Sequence, residues 1–424
     1  MTFYSSHTFK KTRYYQQLPQ SEQVAFDILT EVFHFKTNTY VLENLIDWDK
    51  APQDPIYQLN FPSPSMLSSR NYQLLLDAYQ RGDINFAHAI RKHKPADVPI
   101  HQQRIPRLQG ALIKGTYQAF PNLLFLFPDP MTKTCHAYCS YCYRWKQFVG
   151  DTLRSDQTYS YDDPHTPIPY LKAHPEITNV LFTGADPLVL SANKLQQFIE
   201  PILAIDTVRV VQISTKSLGW WPHRFTTDPD AEQLLRLFEH IQSKGKHLSL
   251  TAHFTHPREL ENSIVKQAIR RIQSTGAVIR CQGPLVAGIN DSPKTWATLW
   301  NYQIDLGLIP SYMFIESGHN HEASFRVPLA KALSIFQKAQ QQTTGLTHSV
   351  QGPVFMNDIH RVLLDGIVAI DHKKFFVLKC LQSPYPESEG QIELIPYDKH
   401  TRSAGDLVKM FTPQEVLNEA YLAS

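Results

Sequence analysis

A chain of 424 residues is long enough for two or three domains, or for one large α/β unit with attachments, and can bury a full core without covalent staples. Its 41 Lys and Arg against 39 Asp and Glu leave a formal charge of +2, which excludes the strongly basic footprint expected of a nucleic-acid or membrane-surface binder. Five cysteines are odd in number and too few for a disulfide framework, and they point to a reducing compartment.

Taken in chain order, the stretch Met1 to Gln17 carries Lys10, Lys11 and Arg13 but no apolar segment or small-residue cleavage site. No secretory signal is expected, and the protein is placed in the cytoplasm. The longest apolar run, Leu123 to Phe127, is far short of the roughly 18 residues that a membrane span needs. Residues 1–120 read as a mainly helical wrapping region, with helical spacing over Val24 to Phe35 and Tyr72 to Ile90. Between them, Asp54-Pro55-Ile56 and Phe61 to Ser65 are expected to be extended connectors, because proline biases its predecessor to the β region.

Residues 121–345 alternate short β-branched runs with amphipathic segments. Six strands are expected, at Asn122–Phe127, Asn179–Thr183, Val208–Thr215, His247–Phe254, Val278–Val286 and Ser311–Glu316. Helices over Glu232–Lys244 and Ser263–Ser274 each stop at a glycine, Gly245 and Gly276. This is an α/β pattern with a parallel sheet, either doubly wound or curled into a barrel, and periodicity leaves both open. Residues 346–424 form a smaller appendage, a β meander with a turn expected at Asp365-Gly366, followed by a tail.

Cys135, Cys139 and Cys142 are spaced C-x3-C-x2-C in the loop after the first expected strand. In parallel α/β folds such loops carry the chemistry. Zinc would need a fourth ligand such as His136 and lacks the usual paired C-x2-C halves. Packing thiols would follow the apolar periodicity, whereas these sit among Thr, His, Ser and Tyr. A cubane iron–sulfur cluster on three thiolates keeps one iron without a protein ligand.

The loop resembles the radical S-adenosylmethionine (SAM) signature C-x3-C-x-aromatic-C, with Tyr141 at the aromatic position. The resemblance narrows to the lysine 2,3-aminomutase-like family and runs from about Pro52 to Gly366. Arg144 follows the cysteines as that family's basic residue does. Thr183, Gly184, Ala185 and Asp186 resemble its glycine-rich SAM segment, with Ala185 replacing the second glycine. Ile213 to Lys216 with Pro222 to Arg224, Ala252 to Pro257, Arg280 to Gln282 with Gly288 to Asp291, and Pro310 to Glu316 with Phe325 to Pro328 resemble the later motifs in family order.

The resemblance implies an open (β/α)6 partial TIM barrel. It also implies a [4Fe-4S] cluster on Cys135, Cys139 and Cys142, with SAM against Tyr141, Thr183, Gly184, Ala185, Asp186, Ser214, Lys216, His253 and Gln282. A small carboxylate-bearing substrate would be handled by Arg144 and Glu316, with an external flavodoxin- or ferredoxin-type electron donor and no nucleic-acid or membrane partner.

Departures qualify it. The stretch aligned with the family's pyridoxal phosphate (PLP) lysine, Val350 to Asp358, has no lysine, and Tyr117 to Phe120 lacks the arginine for the PLP phosphate. Ser317 stands where the family places the aspartate that receives the substrate ammonium, and only Cys380 lies where the family has zinc cysteines. Without PLP the aldimine route of amino migration is closed. The reading is therefore a PLP-independent radical SAM enzyme. The alternatives are a PLP-dependent aminomutase using Lys373, Lys374 or Lys379, and a non-enzymatic iron–sulfur electron carrier or redox sensor.

Overall fold

The computed structural model describes residues 1–83, 104–129, 134–142, 160–315, 323–356, 360–401 and 411. Near the N-terminus β1 (Phe3–Ser5) pairs antiparallel with β2 (Lys36–Asn38), and α1 (Gln20–Thr30) lies between them in sequence. Phe9, Phe26, Phe35 and Phe61 pack ring against ring at 4.8–5.9 Å between centroids, so this region has an aromatic core.

The connector expected at Asp54 is instead a helix start. The Asp54 carboxylate accepts from Ile56 N and Tyr57 N at 3.0 and 2.9 Å and caps α2 (Pro55–Asn60). Proline at the first helical position needs no N–H partner, and that favours the helix here. After α3 (Ser69–Gln80), the rest of the helix expected to reach Ile90 lies outside the described residues.

The remaining elements follow in a regular alternation: β3 (Thr116–Phe120), β4 (Leu123–Leu126), α4 (Ile168–Ala173), β5 (Asn179–Phe182), α5 (Ala192–Leu203), β6 (Val210–Thr215) and α6 (Ala231–Ser243). Then come β7 (His247–His253), α7 (Ser263–Ser274), β8 (Val278–Leu285), α8 (Pro293–Asp305), β9 (Ile309–Ile315), α9 (Leu329–Gln340), β10 (Gln351–Met356), β11 (Arg361–Ile370), β12 (Lys373–Gln382) and β13 (Ile392–Pro396). The spacing predicts the stripe Leu234, Leu235, Leu237, Phe238 and Ile241, all of which bury on α6, and a stripe from Ile264 to Ile272, of which Val265, Ala268, Ile269 and Ile272 bury on α7 while Ile264 is half-buried. Gly245 and Gly276, at φ +72° and +82°, end these two helices in the left-handed conformation.

The strands from β3 to β13 form one sheet of 11 in strictly sequential order. β4 to β10 are parallel, while β3 and the β11–β13 extension are antiparallel. A doubly wound sheet reverses its order at a switch point; this one does not, so right-handed crossovers place its helices on one face. Burial alternates accordingly, with Val180, Phe182, Val211, Ile213, Leu248 and Leu250 buried and Leu181, Gln212, Ser214, Thr251 and His253 half-buried. The flanks of the sheet also approach each other, since the Arg361 guanidinium on β11 lies 5.6 Å from the Phe120 ring on β3.

Two expectations for the C-terminal part are corrected. A seventh parallel strand, β10, lies beyond the six predicted. Gly352-Pro353 in its middle reads as a breaker, yet a Cβ at Gly352 would fall 2.9 Å from Met313 Cβ and the Phe336 ring, so the glycine is there for close packing. Asp365-Gly366 is not the meander turn but an irregularity within β11. The chain turns at Asp371-His372, both at positive φ (47° and 64°), a conformation that Asp tolerates.

Candidate active site

The cysteine loop follows β4 and is held by the N-terminal region. Tyr138 N donates to Lys36 O at 2.9 Å, and Ser140 N donates to Leu59 O at 2.7 Å. Asn60 Nδ2 donates to both Lys36 O (3.1 Å) and Tyr138 O (2.8 Å), and Ser140 Oγ to Gln58 O (2.6 Å). A narrow cleft between the two is lined by Phe33, Asn60, Met66, Tyr138, Cys139 and Cys142. A larger cavity of about 740 Å³ lies beside β3, among Arg104, Arg107, Gln118, Phe120, Tyr170 and Pro384, and contains none of the candidate residues.

Both ends of the loop are tied to the carboxyl ends of the parallel strands. His136 Nε2, buried beside Cys135, sits 3.3 Å from Asp186 Oδ2, and Tyr141 OH is 3.4 Å from Thr255 Oγ1. Asp186 is 3% exposed and accepts from Thr215 Oγ1, Lys216 N, Ser217 N, Ser217 Oγ and Leu188 N at 2.9–3.1 Å. Burial works against its ionisation, but His136 and the backbone donors outweigh this and hold the carboxyl below its ordinary value. Its oxygens are thus engaged within the protein, joining the exits of β5 and β6 to the cysteine loop.

Lys216 Nζ reaches Glu259 Oε1 at 2.6 Å and Thr255 Oγ1 at 3.2 Å, and lies 4.6 Å from the centre of the Trp220 ring. Glu259 is fully buried and also accepts from Thr255 N at 2.5 Å, His256 N at 3.0 Å and Trp220 Nε1. Across the next strand pair, Gln282 Nε2 is 2.6 Å from His253 Nε2. Burial and the nearby Lys216 ammonium push His253 down to about 4, so its neutral ring accepts this bond. Gly283 permits the strand contact, because a Cβ there would lie 2.0 Å from Phe254 O.

The geometry brings Tyr141, Asp186 and Lys216 around the cysteines and sets His253 and Gln282 alongside. Thr183, Ala185 and Ser214 are half-buried at the strand exits, and Gly184 adopts φ +134° where side chains are disfavoured. Arg144 and Glu316, with Ser317, lie outside the described residues. The residues that sequence reasoning missed are Lys36, Asn60, Thr255 and Glu259, while His136, considered there only as a fourth zinc ligand, instead faces Asp186. Only Glu259 had a local signal: Pro257 with Glu259 two residues on has the spacing of a helix N-terminus with a capping box.

The donor set suits an open cluster. Burial raises the Cys135 thiol well above its ordinary range, with further upward push from Asp186 and the other two thiols, and raises Cys139 to about 12 against the pull of Lys216. The three thiols are half-buried, and their mutual repulsion on ionising means that a cationic metal beside them would be needed to hold all three as thiolates. Among the described residues no three Cys, His, Asp or Glu side chains converge on one ion, and a cubane places its three thiolates on three different irons. A PLP site fits poorly: the described residues of β10 supply no lysine, and Lys373, Lys374 and Lys379 are exposed on β12.

Such a thiol-bearing loop at the carboxyl ends of a singly wound parallel sheet is the arrangement of a radical SAM protein. No protein-family model matches the chain. A protein of Aquifex aeolicus provisionally named L-lysine 2,3-aminomutase is 30% identical over 340 residues, covering 80% of this chain and 79% of its own length. The L-lysine 2,3-aminomutase of Acetoanaerobium sticklandii is 29% identical over 232 residues, 53% of this chain and 52% of the relative. Among solved structures, Streptococcus suis SuiB bound to S-adenosylmethionine is 10% identical at a TM-score of 0.36, over 68% of this chain and 55% of that one. The chain thus spans about half the length of that protein. On the strength of the Aquifex relative, the chain belongs to the lysine 2,3-aminomutase-like family of radical SAM enzymes. No helix among the described residues is long and apolar enough to cross a membrane.

Proposed function

We propose that this enzyme holds a [4Fe-4S] cluster on Cys135, Cys139 and Cys142, binds SAM, and acts without PLP on a small, carboxylate-bearing, amino-acid-like substrate in the cytoplasm. The observation that carries the proposal is the double tether of the cysteine loop, His136 to Asp186 and Tyr141 to Thr255, at the exits of β5 to β7. Cys135, Cys139 and Cys142 would hold the cluster, which when bound and reduced would supply the single electron that splits SAM into methionine and the fragment abstracting hydrogen from the substrate.

The chain's own residues prepare the site for this. Asn60, Lys36 and Leu59 fix the loop backbone so that little ordering is left to metal binding. Lys216 offers its positive charge near Cys139, and Glu259 holds that ammonium in place. Tyr141, Thr183, Gly184, Ala185, Ser214, His253 and Gln282 would contact SAM, with Asp186 supporting them from behind. Arg144 would take the substrate carboxylate as a bidentate fork, Glu316 would act beside it, and an external flavodoxin- or ferredoxin-type protein would supply the electron. The sequential sheet with approaching flanks supports an open partial barrel of the (β/α)6 kind. We assign residues 121–345 to it, 1–120 to the wrapping region and 346–424 to the appendage.

The names of the relatives favour a second reading, an aminomutase, which by the family resemblance would depend on PLP. It requires borohydride to fix PLP on one lysine stoichiometrically and activity to depend on PLP; we expect neither. The main reading is tested by anaerobic reconstitution with reductant and SAM, which should release 5′-deoxyadenosine. Absence of cleavage with every amino acid tried, together with an electron paramagnetic resonance (EPR) signal unmoved by SAM, would leave an electron carrier.

A further inference from the structure

Arg361 opens β11, and its side chain has no carboxylate partner among the described residues. The guanidinium lies 4.7 Å from the centre of the Tyr312 ring and 5.6 Å from that of Phe120. Nη1 donates to Tyr312 OH at 3.1 Å. Nε is buried and has no hydrogen-bond partner, and Nη2 has only the Met356 thioether at 4.0 Å. The unused edge, Nε with Nη2, is the edge of the fork that a carboxylate takes side-on. A partly buried guanidinium with an unsatisfied N–H is costly to keep. The aromatic rings offset part of that cost but supply no counter-charge.

Arg361 is also on the candidate site's side of the sheet. Tyr312 is in register with Gln282, and Gln282 with His253, so these three side chains share one face. All three are half-buried, whereas the residues after them in sequence, Met313, Gly283 and Phe254, are buried. The row runs from Lys216 and His253 through Gln282 and Tyr312 to Arg361, placing an unpaired cation at one end. Met356 lies beside the unused edge of the fork, and an unbranched thioether side chain has other rotamers of similar energy.

We infer that Arg361 is the receptor for a carboxylate of the substrate, with Tyr312 orienting the fork and Met356 yielding as it enters, and hence that the substrate is an acidic amino acid. The inference rests on the radical SAM reading above and deepens it. It agrees with the chain having Ser317 where the family carries an ammonium-receiving aspartate.

The experiment is calorimetric titration of the reconstituted holoenzyme, with SAM present, using L-glutamate, L-aspartate, L-lysine and inorganic phosphate as probes. Glutamate or aspartate should bind in preference to lysine. Arg361→Met should weaken that binding at least tenfold, Arg361→Lys less, while the SAM-induced change in the cluster's EPR signal stays as in the wild type. Tyr312→Phe keeps the ring and removes only the hydroxyl, so it guards against a variant that loosens the Arg361 contacts; a loss of about threefold is expected. Three outcomes overturn the inference: acid binding unchanged in both variants, lysine bound in preference, or phosphate bound and no amino acid. A wild type that binds acids but shows no response to SAM would instead sink the radical SAM reading and leave Arg361 standing as the receptor.

Discussion

The parallel strands β4 to β10 and the antiparallel extension β11 to β13 belong to one sheet, yet they place charge in opposite ways. At the carboxyl ends of the parallel strands, Asp186 and Glu259 are buried, and each is surrounded by donors from two or more loops. In the extension, beyond the half-buried Arg361 that opens it beside the site, the charges of Lys373, Lys374 and Lys379 face solvent, and apolar Ile367 and Ile392 are themselves 42% and 59% exposed. Buried ionic groups are poor stabilisers for their burial cost, so their concentration at one end of one region marks where the fold accepts that cost to position a site.

The sharpest way to break this comparison is to remove one carboxylate. Glu259→Gln takes the counter-charge from Lys216 and weakens acceptors for Thr255 N, His256 N and Trp220 Nε1. A loss of about 3–5 kcal/mol is expected, as for other buried pairs left with one member. Lys379→Gln in the extension should change stability by less than about 0.5 kcal/mol. Denaturant unfolding of the two variants checks both, and equal effects would mean that the two regions do not differ as described.

A smaller effect is expected where the N-terminal region meets the cysteine loop. Asn60→Ala removes the donor shared by Lys36 O and Tyr138 O, both in the clamp on the loop. About 1–3 kcal/mol of stability should go with it. The informative readout is iron retention after reconstitution: the variant should lose its cluster during anaerobic dialysis faster than the wild type, and Asn60→Gln should fail to rescue it because the longer side chain misplaces the donor. Equal iron retention would reduce the clamp to packing.

The legible and illegible parts of the chain divide along the same line. The βα alternation, the α6 and α7 faces with their glycine stops, and the cysteine loop were readable because each is a local pattern: a period, a cap or a spacing. The clamp was not, since Asn60 and Tyr138 are 78 residues apart and nothing in either neighbourhood announces the contact. The motif around Asp186 predicts a ligand-facing carboxylate, while its oxygens turn inward to donors from the next loop, a partition set by tertiary packing. β10 was hidden by Gly352-Pro353, whose meaning depends on Met313 and Phe336, and the Asp365-Gly366 turn by a bulge that only strand pairing reveals. Local signals placed the site; long-range hydrogen bonds built it.

In the titration of their buried imidazoles the two regions should agree. His253 in the parallel region and His360 in the segment leading into the extension are each pushed from 6.5 down to about 4, the first by burial and then Lys216, the second by burial and then Arg104. His223 and His256 shift the same way, also through burial. Between about pH 6.5 and 4 the unfolded chain therefore binds more protons than the folded one at these sites. Their contribution to stability is complete above pH 6.5 and declines as the pH falls through that window, levelling off below about 4. His253→Gln and His360→Gln should each flatten the acid limb of a plot of unfolding free energy against pH, and the double variant should flatten it by the sum, because the two rings lie in separate parts of the sheet. If His253→Gln flattened the limb and His360→Gln did not, the proton uptake would belong to the candidate site alone, and the contrast between the two regions would extend from buried carboxylates to buried imidazoles.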